Sequence, residues 1–599
     1  MKKEIKFSLV YRDMWQSSGK YQPRADQLVR IAPLIIEMGC FSRVETNGGA
    51  FEQVNLLYGE NPNKAVRAFT KPFHEASIHN VDGKAMLTDM LDRGLNGLRM
   101  YPVPADVRRL MYKVKHAQGV DITRIFCGLN EVRNIIPSIH YALEAGMIPQ
   151  ATLCITFSPV HTVEYYTAIA ERLIEAGAPE ICLKDMAGVG RPEMLGRLTK
   201  AIKERHPEII IQYHGHSGPG LSMASILEVC ENGADIIDVA MEPISWGKVH
   251  PDVISVQAML KDAGFQVPEI NMKAYMKARA MTQEFIDDFL GYFMDPTNKH
   301  MSSLLLKCGL PGGMMGSMMA DLKGVHSGIN LILRGKNEPE LSIDDLLVML
   351  FDEVEYVWPK LGYPPLVTPF SQYVKNVALM NVMSLIKGEE RWTMIDNHTW
   401  DMILGKSGRL PGALAPEIIA LAKEKGYEFT DEDPQKNYPD QLDEYRKEMT
   451  ENGWDFGQDD EELFELAMHD RQYRDYKSGI AKKRFEDDLQ RAKDAALAKQ
   501  GFSEEEVKRM KRAKAEPVTA MEKGQIIWEI DVESPSMPPE VGHKYDPDDV
   551  FCYIATPWHT YDKVLANFSG RVIEVCAKQG ALVDKGEPLA YIERCEEPA

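Results

Sequence analysis

From residue 1 to about 250 the chain alternates short β-like runs with longer stretches whose apolar positions recur every three or four residues. The runs are Ile5–Val10, Ser42–Thr46, Gly97–Tyr101, Thr123–Cys127, Ala151–Thr156, Glu180–Lys184, Ile209–His214 and Asp235–Ala240. Several, such as I-I-I-Q-Y and I-I-D-V-A, are apolar at adjacent positions, which predicts strands buried on both faces as in a parallel sheet. Glu164–Gly177 and Arg191–Arg205 carry helical spacing. Eight such units have the size of a (β/α)8 TIM barrel of about 250 residues. A doubly wound open sheet is the alternative, because strand order is not written in the pattern.

Polar residues gather where these runs end. Arg12-Asp13-Met14-Trp15-Gln16 follows the first run and Glu45-Thr46-Asn47-Gly48-Gly49 the second. Arg93 and Asn96 fall just before the third, Lys184-Asp185 ends the sixth and His214-Gly215-His216 ends the seventh. The C-terminal strand ends of a barrel converge on one mouth, so these distant residues are expected to face one another. His214 and His216 are two apart and would project from one face of an extended segment. Two imidazoles with a carboxylate suit zinc, manganese or cobalt, and Asp13 is the natural carboxylate. A histidine pair at a strand end, or an Asp capping a helix, is the plainer reading. Lys184 closes an apolar run; it either snorkels to the rim or is a buried amine of lowered pKa.

Composition narrows the class. The 599 residues include 69 Lys+Arg against 89 Asp+Glu, a net charge of −20, and 44% are hydrophobic. That acidity argues against nucleic-acid binding. No apolar run reaches the roughly 18–20 residues of a membrane span, and no signal-peptide core follows Met1-Lys2-Lys3. Nine cysteines without a C-x-x-C pair point to reduced thiols. A soluble, cytoplasmic protein is expected.

Residues 270–425 are rich in Met and Leu at amphipathic spacing and predict a helical layer around the barrel mouth. The methionines of Gly312–Met319 read as core filling rather than a soft-metal site. Glu428–Glu462 is acidic and weakly patterned, a connector, and Asp470–Lys514 is highly charged with helical spacing, a solvated or oligomer-forming element. The expected divisions are 1–300 for the barrel, 301–425 for the helical extension, 426–520 for a charged linker and 521–599 for a small all-β domain.

Together these fragments resemble, collinearly over roughly residues 1–420, the carboxyltransferase domain shared by pyruvate carboxylase, the oxaloacetate decarboxylase alpha subunit and transcarboxylase. Arg12–Ser17 looks like R-D-x-x-Q-S, Lys184–Gly188 reproduces K-D-M-A-G, and His214–His216 reproduces H-x-H. Ser158–Thr162 is similar to a stretch of the decarboxylase branch, and Pro311–Met314 and Val367–Gln372 match two further blocks. The resemblance implies a divalent metal held by Asp13, His214, His216 and a carbamylated Lys184. It implies that Arg93 and Gln16, with Arg12 close by, hold a 2-oxo acid such as pyruvate or oxaloacetate. Thr368 would move a proton between that substrate and biotin. Departures occur at Ser217–Gly220, at Asn47–Glu52 and at Cys127, where the family has aspartate. They concern the surroundings of the metal set rather than the set itself.

The last 70 or so residues repeat internally. Gly542–Ile554 aligns with Gly580–Ile592 at a constant offset of 38, and the region resembles the biotinyl/lipoyl carrier domain. Carriers present a lysine at a hairpin tip, where this chain has His559, within Pro557–Thr560. Histidine cannot form the tethering amide, and Lys563 lies four positions further along. An unbiotinylated, carrier-like domain is therefore expected, with biotin supplied on a separate carrier protein. The partners implied are that carrier and either a biotin carboxylase subunit or membrane decarboxylase subunits, and a homo-oligomer is expected. Two alternatives stand beside this reading: a related Claisen-type lyase, and an assembly subunit whose site has drifted.

Overall fold

Eight parallel strands pair in chain order and close on themselves. They are β1 (Lys6–Leu9), β2 (Phe41–Gly48), β3 (Leu87–Asp92), β4 (Ile122–Ile125), β5 (Ile148–Cys154), β6 (Glu180–Asp185), β7 (Ile210–Gly215) and β8 (Ile236–Val239). β8 pairs with β1 from Lys6↔Ile236 to Leu9↔Val239, which makes the fold a TIM barrel and excludes the open sheet. The computed structural model describes residues 2–76, 85–310, 312–499, 504–528, 539, 541–557 and 560–594. Among them no helix is long and apolar enough to cross a membrane, and the seven cysteines with described side chains are free thiols.

The third strand is not the predicted Gly97–Tyr101 but Leu87–Asp92. Its sequence, L-T-D-M-L-D, hides it, because Thr88, Asp89 and Asp92 are buried polar residues with partners elsewhere. Arg124 Nη2 lies 3.5 Å from Asp89, and Asp92 accepts from the Tyr112 hydroxyl and from Gly94 N. Gly97–Tyr101 is a loop instead: Gly94–Asn96 form one 3-10 turn, and Gly94 and Gly97 both take φ of 55°. Arg93 therefore follows its strand, at the barrel mouth.

The bore of the barrel is polar rather than filled by the usual branched aliphatics. Arg43 makes a two-pronged pair with Glu180 at 2.7 and 3.2 Å and donates to Gln212 at 3.0 Å. Gln150 bridges Glu180 and Gln212 and accepts from Arg124 Nε at 2.6 Å. Arg124 Nη1 then reaches Asp238 at 2.6 Å. Every charge here is desolvated, and such a stack is tolerable only because each member has its partner.

Amphipathic helices surround the strands, and Met272–Asp288, Gly312–Gly335, Ile343–Lys360 and Phe370–Lys387 form the layer beyond them. Met314 and Met318 are buried, in keeping with core filling; Pro311 lies outside the described residues. Within the stretch 426–520 the contacts divide between two compact units. Residues up to Asp487 belong to the barrel's compact unit and those from Asp488 to the C-terminal one. Helix Glu461–Met468 is buried along its length against helix Ala105–Ala117, joined by Met449 and Tyr473. Its acidic first turn disguises an apolar core, Leu463-Phe464-Glu465-Leu466-Ala467-Met468.

The C-terminal unit holds two four-stranded antiparallel sheets, as expected of a biotinyl/lipoyl-like fold. Its strands are β9 (Glu516–Thr519), β10 (Gly524–Ile527), β11 (Lys544–Tyr545), β12 (Val550–Ala555), β13 (Tyr561–Leu565), β14 (Gly570–Val575), β15 (Leu582–Val583) and β16 (Pro588–Arg594). One sheet runs β13-β12-β10-β15 and the other β11-β14-β16-β9. The repeat shows directly. β11 and β15 stand 38 residues apart, as do the starts of β12 and β16, and each pair is divided between the two sheets. His559 lies outside the described residues; Lys563 sits in β13 opposite Tyr553.

Helix Glu461–Met468 also closes a fully buried charge cluster. Lys115 Nζ lies 2.5 Å from Glu52 and 3.6 Å from Glu465, and His469 Nε2 is 3.2 Å from Glu52. Burial alone would raise the Glu52 carboxyl, but Lys115 and His469 bring it down to about 2. Burial and the Glu52 charge push Glu465 well up, so the cluster is one ion pair with a protonated acid beside it. Lys115→Met would strand the Glu52 charge. We expect it to lower the stability of the barrel unit by about 3–5 kcal/mol, read as a lower urea midpoint for that unit's transition.

Candidate metal centre

Strand register places the site. Lys184 on β6 lies opposite His214 on β7, so both side chains enter the barrel from neighbouring strands. Asp13 sits in the first turn of helix Tyr11–Ser18, which begins directly after β1. Asp13 Oδ2 lies 3.2 Å from His216 Nε2 and 3.7 Å from His214 Nε2, and Lys184 Nζ is 2.9 Å from that same His214 nitrogen. All four residues are buried. Ligand atoms of Asp13, His214, His216 and His250 converge within 4.8 Å of one another.

These residues fit a divalent ion. Donors about 2.1 Å from one ion in a tetrahedral arrangement stand about 3.4 Å apart, within the range seen here. His214 Nδ1 bonds Asp238 Oδ2 at 2.6 Å and His216 Nδ1 bonds the Lys248 carbonyl at 2.8 Å. Such outer partners fix the tautomer and turn the other nitrogen, with its lone pair, inward. His216 Nε2 is buried without a hydrogen-bond partner, as a ligand nitrogen would be.

The electrostatics prepare the same groups. Burial would raise the Asp13 carboxyl, but Arg12 and His216 hold it well below its usual range. Burial drives His214 well down, helped by Lys184 and His250, and pushes Lys184 below its ordinary value. Asp13 is thus kept as a carboxylate and His214 as a neutral nitrogen donor, the protonation states metal binding requires of them.

The K-D-M-A-G turn has a mechanical reading. Asp185 accepts the backbone N–H groups of Val189 and Gly190 at 2.9 and 3.0 Å, bending the chain back. Gly188 has φ of 69°, and a Cβ there would meet the His216 carbonyl at 2.4 Å. Glycine lets the H-x-H segment lie against this turn.

The other predicted residues line the same mouth. Arg12 Nη2 donates to Glu45 at 2.7 Å and lies 3.3 Å from Asp13 Oδ1, and its Nη1 donates to the exposed Gln16 amide. Arg93 is partly exposed and donates to the Leu98 carbonyl at 3.2 Å; burial and the Arg12 charge push its pKa down to about 10. Thr368 is half-buried. Its neighbour Val367 packs with Leu91, Phe126 and Cys154 at the ends of β3, β4 and β5. This brings the Val367–Gln372 block to the barrel mouth beside the metal group rather than into it. His161 of Ser158–Thr162 stacks on Trp358, ring centroids 6.4 Å apart, tying the loop after β5 to the helical layer.

Sequence reasoning missed His250, Asp238 and Arg124. His250 lies in an irregular loop after β8 with no motif around it. Asp238 and Arg124 sit inside runs whose pattern shows only apolar strands. Glu52, Glu465 and His469 also converge, but the Lys115 ammonium already stands between them as the cation.

The comparisons with known proteins follow the same lines. A family profile described as "Conserved carboxylase domain" matches residues 340–527, and one described as "HMGL-like" matches residues 132–281. The chain is 30% identical over 446 residues to a pyruvate carboxylase subunit of Methanocaldococcus jannaschii, covering 74% of this chain and 72% of that one. It is 29% identical over 419 residues to the methylmalonyl-CoA carboxyltransferase 5S subunit of Propionibacterium freudenreichii subsp. shermanii, covering 70% and 76%. The carboxyl transferase domain of Rhizobium etli pyruvate carboxylase, solved with pyruvate and biocytin, superposes with a TM-score of 0.68 at 22% identity. That match covers 80% of this chain and 78% of that one, and at such identity it shows the fold alone.

If Asp238 sets the His214 tautomer, Asp238→Asn should cost roughly 10–100-fold in divalent-metal affinity. Competition of the loaded protein against a chelator would measure it. Unchanged affinity would show that His214 is oriented by other contacts.

Proposed function

Since the chain belongs to the carboxyltransferase family shared by pyruvate carboxylase and transcarboxylase, we propose that it moves a carboxyl group between carboxybiotin and pyruvate or oxaloacetate. The observation that carries this reading is the buried convergence of Asp13, His214 and His216 beside Lys184 at the barrel mouth. Lys184, an amine whose pKa burial lowers, would add to carbon dioxide as a carbamate, giving up a proton to solvent, and would then hold the metal with those three. Lys184 Nζ now lies 2.9 Å from His214 Nε2, the nitrogen that would hold the ion. A zinc, manganese or cobalt ion held there supplies Lewis-acid polarisation of the substrate's keto oxygen.

The chain's own residues do the rest. Arg12 and Arg93 are two guanidinium groups close enough for each to weigh on the other, and Arg93 has no carboxylate hydrogen-bonded to it among the described residues. A substrate carboxylate relieves that repulsion, and Gln16, already on Arg12, orients the same end. The Thr368 hydroxyl carries a proton between the substrate methyl group and the ureido nitrogen of biotin as the carboxyl group transfers. Biotin arrives on a separate carrier protein, because His559 offers no amine for attachment. The carrier-like domain of this chain then serves docking or assembly with a biotin carboxylase subunit or membrane decarboxylase subunits.

Free biotin can replace the carrier by diffusion. Purified, metal-loaded protein should release pyruvate from oxaloacetate at a rate that rises with added biotin. Thr368→Ala should lower the biotin-dependent part by about 10²-fold or more. No biotin-dependent release from the loaded wild type would overturn this substrate pair.

A further inference from the structure

The loop after β8 is knitted to the H-x-H segment by two hydrogen bonds just before His250. The Lys248 carbonyl accepts from His216 Nδ1 at 2.8 Å, the Val249 carbonyl accepts from Ser217 N at 2.8 Å, and His250 follows directly. The loop is tight: Trp246 N donates to the His250 carbonyl at 2.8 Å, and Val249 N to the Trp246 carbonyl at 2.9 Å. At its far side Ala240 N bonds the Pro251 carbonyl at 2.9 Å. His250 therefore cannot drift from its place.

That place is between the two imidazoles of the H-x-H segment. The His250 ring centroid lies 4.3 Å from that of His214 and 4.3 Å from that of His216. Its Nε2 stands 3.0 Å from Asp13 Oδ2, nearer than either of the other two rings. The side chain is fully buried, and its Nδ1 has no hydrogen-bond partner. Three imidazole nitrogens thus surround one carboxylate oxygen at 3.0, 3.2 and 3.7 Å.

We propose that His250 binds the metal directly as a third imidazole, adding one ligand to the set of Asp13, His214, His216 and Lys184. The proposal rests on the metal reading above and deepens it. Three imidazoles favour nitrogen-seeking divalent ions, zinc or cobalt, over manganese or magnesium, which prefer oxygen donors. His250 also reports on the loop after β8: the metal joins it to the helix after β1 through Asp13 and to β7 through His214.

X-ray absorption fine structure on the full chain loaded with zinc counts imidazoles independently of activity. Three are expected in the wild type and two in His250→Gln and His250→Asn. Zinc affinity, measured by chelator competition, should fall in both variants by more than the roughly 10–100-fold expected for loss of an outer partner. The zinc-over-manganese preference should shrink with it. Circular dichroism melts of the metal-free proteins would identify any variant that fails to fold, and the wild-type count needs no variant. Two imidazoles in a zinc-loaded wild type would overturn the proposal while leaving the metal reading intact, with His250 only a hydrogen-bond donor to Asp13. A wild type that binds no zinc, cobalt or manganese would overturn both.

Discussion

Asp238 is shared between Arg124 and His214, and the rest of the site is arranged around that sharing. Its Oδ2 lies 2.6 Å from Arg124 Nη1 and 2.6 Å from His214 Nδ1, all in complete burial. Burial would raise this carboxyl, but Arg124 and His214 hold it far below the carboxylate range, so it stays charged. The charge keeps the proton of His214 on Nδ1 and leaves Nε2 free to face Asp13 and Lys184. Arg124 is anchored in turn by Gln150, which bonds Glu180, which pairs with Arg43. The orientation of one metal-facing nitrogen is thus continuous with a polar column through the barrel.

A polar bore has consequences for stability. Paired charges in a dry interior seldom stabilise more than apolar side chains of the same volume. Stability must come from elsewhere, chiefly from the helices packed outside the strands. Asp89 shows the limit of the arrangement. Burial, with the Glu45 and Asp238 charges against the attraction of Arg124, pushes its pKa up to about 8. Arg124 neutralises one carboxylate well and a second poorly, so the second is kept as the acid. Glu465 repeats the pattern beside Lys115. In both clusters the protein balances its buried charges by protonation once its cations are committed.

Much of this was legible in the sequence. Seven of the eight strands appear as short β-like runs, several of them apolar at adjacent positions because buried parallel strands need such residues on both faces. Asp13, Lys184, His214 and His216 stand out because each ends a strand or follows one, where position and chemistry coincide. β3 was illegible for the opposite reason: its polar residues point into a polar bore, so it lacks the apolar signature on which detection depends. Helix Glu461–Met468 was hidden by the acids of its first turn, whose partners lie on the barrel surface, such as Arg67 with Glu461 at 2.8 Å. His250 could not be found because its loop has no periodicity. Only the folded backbone brings it between His214 and His216.

That helix also connects packing to the substrate end of the site. Leu98 N donates to Met468 Sδ at 3.4 Å, and Arg99 Nη1 donates to the Ala467 carbonyl at 3.3 Å. Both residues lie in the loop whose Leu98 carbonyl receives Arg93 Nη1. The loop that holds Arg93 is therefore fastened by a chain segment more than 360 residues away, through the Met468 thioether and the Ala467 carbonyl. The C-terminal domain likewise depends on segments distant in the chain. Its core is Phe551, Cys552, Ile554, Leu589, Ala590 and Ile592 with their neighbours, and it comes from both halves of the repeat.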